Sequence, residues 1–346
     1  MTHHTSLFVA AAALTFAAGV AVTPVRSAGG WSPQLAAKYL DGRQQEWFGW
    51  KQAASPDGPC VSCHTGMPYL LARPALRREL KEAQPTIYET GLLDRLRAHA
   101  GAKPAGGLQS VETIFAAMFV TDPDAQRRTF EQLFALQKKD GALKGGWQWF
   151  NANLDPWETP PQFRYGSALA ALAIGSAPAA MRETSDAQEH VRALAEFLQN
   201  DVQSRPLHVR LAMLWATTKL PQVMSAAARQ ATIDEILQKQ QPDGGWTLES
   251  LGPWDEHPAA PVSPAAGASN SYATAFTTYV LKQAAGNSVR SRVGRALDWL
   301  RLHQDGQTGA WPTVSMNKKY PAGSMEEKFL TDAATAFAAA ALARGE

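Results

Sequence analysis

Apolar residues return at helical spacing along most of this chain. Val191, Leu194 and Leu198 share one helix face, as do Ile233, Ile236 and Leu237, then Tyr272, Phe276, Tyr279 and Val280, then Val293, Leu297 and Leu300. Alanine is abundant and β-branched runs are scarce, so the pattern predicts an all-α fold. The turns repeat as well. LFALQKKDGALKGGWQW from Leu133, ILQKQQPDGGWTL from Ile236 and WLRLHQDGQTGAW from Trp299 are each an amphipathic helix ending in Asp-Gly, with Trp a few residues later. A long polar loop and an Ala-rich helix follow each, beginning near Tyr165, Ser271 and Thr331. A degenerate copy, LAEFLQNDVQSRPLHVRLAMLWATTKL, lacks the glycines. A helix-turn-helix unit of roughly 50 residues marks a helical repeat array. Six hairpins are expected, near 34–80, 85–121, 124–175, 186–219, 223–285 and 288–344. They form a single domain, 28–346, in which 28–84 is the first hairpin and 85–346 holds the rest.

Gln240-Gln-Pro-Asp-Gly244-Gly-Trp246 follows the pattern Q-x-x-x-G-x-W and resembles the QW repeats of squalene–hopene cyclases and protein prenyltransferase β subunits. The copy at Gln137 has extra residues before Trp147, and the copy ending in Trp311 has no Gln at the matching place. The resemblance implies an α/α toroid, with outer and inner helices alternating around a central cavity. Gly would end each outer helix in a left-handed conformation, and Trp would plug the gap between hairpins. It does not bring the chemistry. The Asp-x-Asp-Asp acid motif of the cyclases is absent, with Asp332 a single carboxylate in its setting, and no cysteine remains for a prenyltransferase zinc site.

The two cysteines of the chain lie together in Cys60-Val61-Ser62-Cys63-His64. Cys-x-x-Cys-His is the attachment sequence of a c-type haem: each thiol forms a thioether with one vinyl group, and the adjacent histidine ligates iron. One covalent haem c on Cys60, Cys63 and His64 is the expectation. A Cys60–Cys63 disulfide is the main alternative; zinc would need further ligands, and a thioredoxin-type pair normally starts a helix in a βαβ setting. Pro56-Asp57-Gly58 precedes Cys60 as Pro242-Asp243-Gly244 precedes Trp246, so the motif occupies the turn of the first hairpin, with Cys60 in the place of a Trp. Trp47, Phe48 and Trp50 are candidates to shield a haem face.

The apolar run Leu7 to Val22, followed by Val25-Arg26-Ser27, reads as a signal peptide over residues 1–27, with a retained N-terminal anchor as the alternative. The run is short for a membrane helix, so a periplasmic or otherwise exported protein without a transmembrane span after signal removal is expected. A formal net charge of +2, without long basic blocks, excludes nucleic acid as the expected partner.

Long loops at 142–163, 247–269 and 306–329 are expected to share one face with the haem turn. They suggest a cleft formed by Trp149, Trp157, Glu158, Trp254, Asp255 and Glu256. Candidates for the sixth iron ligand are His257, Met316, Met325 and His208. The sequence reading is therefore an exported haem protein, acting in electron transfer or as a haem-dependent oxidoreductase, with a redox protein or a small molecule as partner. The alternatives are a non-catalytic binding toroid with a disulfide, and a cyclase- or lyase-like enzyme using loop carboxylates.

Overall fold

The computed structural model describes residues 30–55, 58–100, 109–254 and 267–343. The expected signal segment 1–27 and the predicted site residues Asp255, Glu256 and His257 lie outside them. Among the described residues the secondary structure is helical apart from a two-residue antiparallel ladder of Ala54–Ser55 with Gly58–Pro59 and an isolated bridge between Leu154 and Glu158. Its helices come in pairs. They are α1 (Pro33–Gly49) with α2 (Gly66–Leu80), α3 (Ile87–His99) with α4 (Gln109–Phe119), and α5 (Pro123–Leu136) with α6 (Phe163–Ser176). After a single turn, α7 (Ala179–Arg182), come α8 (Ser185–Gln199) with α9 (Leu207–Ala216), α10 (Ala226–Gln238) with α11 (Ser271–Ala284), and α12 (Arg290–His303) with α13 (Phe329–Leu342).

Side-chain chemistry separates the two members of a pair. In α8 the stripe Val191, Leu194 and Leu198 is buried, together with Ala187, Ala195 and Phe197, while Asp186, Glu189, Arg192 and Glu196 are exposed, which suits a helix with one face in water. Every residue of α9, and α13 from Leu330 to Ala339, is buried, so these helices are enclosed on all sides. The enclosed helices pack on one another in the order α4, α6, α9, α11, α13, and α13 then packs on α2 and α1. Helix starts are written in the sequence. Ser32 and Asp122 each accept a backbone N–H and are followed by proline, and Thr86 forms a capping box with Glu89.

One hydrogen-bond pattern recurs at three turns. The Nε2 amide of Gln137 donates to Gly145 O (2.8 Å) and to His190 O (3.0 Å). Gln240 does the same to Gly244 O (2.8 Å) and Arg292 O (2.9 Å). Gln304 does it to Gly309 O (3.0 Å) and Ser32 O (2.9 Å). Each glutamine thus ties its own turn to the next partly exposed helix, and the last ties back to the first. The indoles of Trp147, Trp246 and Trp311 donate to Leu133 O, Ile236 O and Leu300 O, each at 2.8 Å. Gly244 and Gly309 have φ of +99° and +80°, and a Cβ there would overlap the backbone of Arg295 and Leu35. Only glycine satisfies both demands.

Two expectations are corrected. The third turn does have its glutamine: Gln304 lies one position earlier than the pattern places it, and the loop absorbs the extra residue. At the first turn the indole is not lost but moved. Trp47, in α1, donates its Nε1–H to Cys60 O at 2.8 Å, so the plug comes from the helix and the turn supplies the carbonyl.

Gln304→Ala strips partners from the backbone of Ser32 and Gly309 at the joint between the last and first helix pairs. A loss of about 1–3 kcal/mol is expected, read as a lower urea midpoint with an unchanged slope.

Candidate functional site

The segment between α1 and α2 is shaped by its own side chains. The Ser62 hydroxyl accepts from the backbone N–H of Thr65 (3.1 Å) and Gly66 (3.0 Å), satisfying donors at the start of α2. Val61 is buried, and its N–H donates to Glu112 Oε1 at 3.3 Å, a carboxylate that also pairs with Arg95 at 3.0 Å. The variable residues of Cys-x-x-Cys-His therefore anchor the turn. Cys60 is half-buried, Cys63 and His64 are buried, and both cysteines are free thiols.

Burial dominates the electrostatics. It pushes the Cys60 thiol up to about 11, with the Glu112 charge adding to the effect. It also pushes the Cys63 thiol well above its ordinary value, and that thiol donates to Glu158 Oε1 at 3.1 Å. Burial also raises Glu158, opposed by the bond from Cys63. His64 is pushed down to about 3 by burial, with a smaller contribution from the Arg43 charge. At neutral pH the site thus holds protonated thiols and a neutral imidazole.

The His64 ring is fixed on several sides. Phe329 stacks on it at 3.7 Å and 19°, and Trp47 meets it edge-on at 5.2 Å. Its Nδ1 lies 2.9 Å from Thr65 Oγ1, whose hydroxyl donates to Asp332 Oδ2 at 2.9 Å. Asp332 Oδ1 also accepts from Arg43 Nε (2.7 Å) and from the Tyr39 hydroxyl (2.9 Å). His64 Nε2 has no hydrogen-bond partner among the described residues, and the ring lines a cavity of about 30 Å³, the room of a single water. Asp155, Glu158, Met316, Tyr320 and Glu326 line it too. Two loops close it, and Asn317 joins them: its Oδ1 accepts from Asp155 N (2.8 Å) and its Nδ2 donates to Asp155 O (2.7 Å).

The predicted residues that are described do not converge on one open cleft. Trp157 and Glu158 line the cavity. Trp149 is buried beneath the first loop, its indole donating to Trp157 O at 2.9 Å. Trp254 donates to Leu248 O at 2.9 Å and lies against His208, away from His64. Phe48 packs on Tyr88, whereas Trp50 packs on Phe329 and Trp47. Of the candidates for a ligand opposite His64, Met316 shares its cavity. Met325 instead accepts from Arg43 through its sulfur at 3.3 Å. His208 is corrected. Its Nδ1 bonds Gln162 Oε1 (2.9 Å) and its Nε2 the Tyr272 hydroxyl (2.8 Å), so both nitrogens are used in the core.

Sequence reading missed Tyr39, Arg43, Thr65 and Phe329, and gave Asp332 no role. The hydroxyl directly after the Cys-x-x-Cys-His histidine was the available signal. No known family model matches the chain, and no curated protein resembles it at a significant level.

Proposed function

We propose that this protein is an exported α/α toroid of six helical hairpins that carries one haem c on its first turn and acts in electron transfer or as a haem-dependent oxidoreductase. One observation carries the reading: two free thiols share a turn with a histidine whose Nε2 has no hydrogen-bond partner among the described residues and whose ring lines a cavity beside Met316. That donor set fits the group. Cys60 and Cys63 would hold the porphyrin as thioethers, His64 would ligate the iron, and the haem when bound supplies one-electron redox chemistry. The protein's own part is to keep His64 neutral, to hold its ring between Trp47 and Phe329, and to exclude water with the two loops. A porphyrin needs a pocket of several hundred Å³, so its binding requires these loops, joined through Asn317, to stand further from His64. The closed order of the hairpins is supported by the Gln304–Ser32 joint and by α13 packing on α1 and α2. No helix among the described residues is long and apolar enough to cross a membrane.

The test is intact mass and a pyridine haemochrome spectrum on protein expressed with a cytochrome c maturation system. A mass increment of one haem, lost in the Cys60→Ser, Cys63→Ser double variant, is expected. Colourless protein at the bare polypeptide mass overturns the reading, and a mass lower by two hydrogens marks the disulfide alternative.

A second reading is enzymatic, favoured by the three carboxylates, Asp155, Glu158 and Glu326, that line the cavity with His64. Burial raises Glu158, which favours the protonated form a general acid requires, and keeps His64 neutral beside it. Haem-free protein that turns over a polyprenyl or glycan substrate, with the activity lost in Glu158→Gln, would support it; stoichiometric haem would overturn it.

A further inference from the structure

We infer that Asp332, acting through the Thr65 hydroxyl, is the positioning residue that holds His64 as its Nδ1–H tautomer and aims the Nε2 lone pair at the cavity. The inference deepens the proposed function, in which His64 is the iron ligand, but it is read in haem-free protein and so stands or falls separately.

The donors and acceptors around Asp332 fix each proton in turn. Arg43 Nε can only donate, and it donates to Asp332 Oδ1 at 2.7 Å. The Tyr39 hydroxyl donates to the same oxygen at 2.9 Å. The remaining oxygen, Oδ2, lies 2.9 Å from Thr65 Oγ1. A protonated Asp332 would leave the Arg43 guanidinium, itself 3% exposed, without its buried counter-charge. The carboxylate therefore accepts from Thr65, which spends the hydroxyl's one proton. Thr65 Oγ1 can then only accept from His64, 2.9 Å away. Nδ1 must carry the imidazole proton, and Nε2 is left with its lone pair. An outer-shell partner that sets tautomer and ring orientation in this way also raises the basicity of a ligating imidazole.

Asp332 and Thr65 lie on different hairpins, the last and the first. The tautomer of His64 is thus fixed only when the first and last hairpins meet.

Histidine-labelled, full-length protein expressed without haem maturation reports the tautomer directly by ¹⁵N–¹H correlation at neutral pH. The wild type is expected to show the Nδ1–H pattern for His64. Thr65→Val removes the acceptor and is expected to shift the population toward Nε2–H, whereas Thr65→Ser retains the wild-type pattern. Asp332→Asn is expected to relax the tautomer as Thr65→Val does; because it disturbs a buried ion pair, the Thr65 variants decide the matter if it fails to fold. In haem-loaded protein the midpoint potential of Thr65→Val is expected to rise, because the imidazole loses the partner that makes it electron-rich. An Nε2–H pattern in the wild type, or a Thr65→Val spectrum with the wild-type pattern, overturns the inference. Failure to load haem overturns the proposed function and leaves the tautomer result standing.

Discussion

Acidification from pH 6.5 toward 3 is expected to remove about 5 kcal/mol of stability through His208 alone. Burial pushes this imidazole down to about 3. Its two nitrogens are both committed: Nδ1 to the Gln162 carbonyl oxygen and Nε2 to the Tyr272 hydroxyl, which also receives the Trp157 indole N–H at 3.1 Å. In the unfolded chain an ordinary histidine gains its proton as pH falls through about 6.5. The folded ring refuses it until about pH 3. Between those values the unfolded state binds more protons, so stability declines as pH falls, by about 1.4 kcal/mol per unit. Against a typical total of about 5–15 kcal/mol, that is a large share. Glu158 and Asp332, both raised by burial, act with the opposite sign, because the folded state takes up their protons first. The net slope is therefore a difference, and His208→Gln isolates one part of it. Urea titrations at stepped pH should give the variant a shallower acid limb, by up to one proton. Identical limbs in the two proteins would mean that His208 is not a buried neutral histidine.

The helix pairs were legible because two independent periodicities agree. Apolar residues mark the faces, and the Gln, Gly and Trp of the turns mark where one helix hands over to the next. The structure shows why those residue types recur. The glutamine spans two backbone carbonyls, the glycine lies where any Cβ would strike the next helix, and the indole caps a carbonyl in the helix it leaves. What a fixed spacing missed was the slack in the loop. Gln304 does the work of Gln240 from one position earlier, because its side-chain amide has to reach Gly309 and Ser32 rather than obey a count. The first turn defeats spacing more completely, since Trp47 donates from the helix side to the residue that stands in the place of a tryptophan.

The site was legible only where it is local. Cys60, Cys63 and His64 announce themselves within five positions, and Trp157 and Glu158 follow from a long loop rich in aromatic and acidic residues. Trp254 looks equivalent in sequence, yet its indole bonds its own loop and it lies against His208 instead. No local pattern distinguishes those fates, which are decided by the neighbouring hairpin. His208 illustrates the same limit: a lone histidine in such a helix reads as a candidate ligand or, more often, as an ordinary core residue, and Gln162 and Tyr272 occupy its nitrogens from other hairpins. Asp332 is the extreme case, since its partners Tyr39, Arg43 and Thr65 stand 293, 289 and 267 positions away. A lone carboxylate in an Ala-rich helix carries no mark of that role until the first and last hairpins are brought together.

Asp332→Ala is expected to cost about 3–5 kcal/mol, the usual consequence of removing one member of a buried ion pair. Asp332 and Arg43 are 1% and 3% exposed, so water cannot replace what the mutation removes. The Tyr39 and Thr65 hydroxyls lose their acceptor in the same step. Arg43 also pairs with Glu46, which is half exposed, and this keeps the cost from exceeding the range. The loss does not measure the worth of the pair, because most of it is the penalty of stranding a guanidinium. The double variant Arg43→Leu, Asp332→Leu separates the two quantities. It removes both charges and fills the space with apolar atoms, and is expected to recover much of the stability lost by Asp332→Ala. It cannot recover the tautomer of His64, because Thr65 no longer has a carboxylate to donate to. If denaturant midpoints return while the His64 Nδ1–H signal does not, the carboxylate is kept for the orientation of the imidazole rather than for the strength of the fold. If the double variant is as unstable as Asp332→Ala, the ion pair itself is what joins the last hairpin to the first.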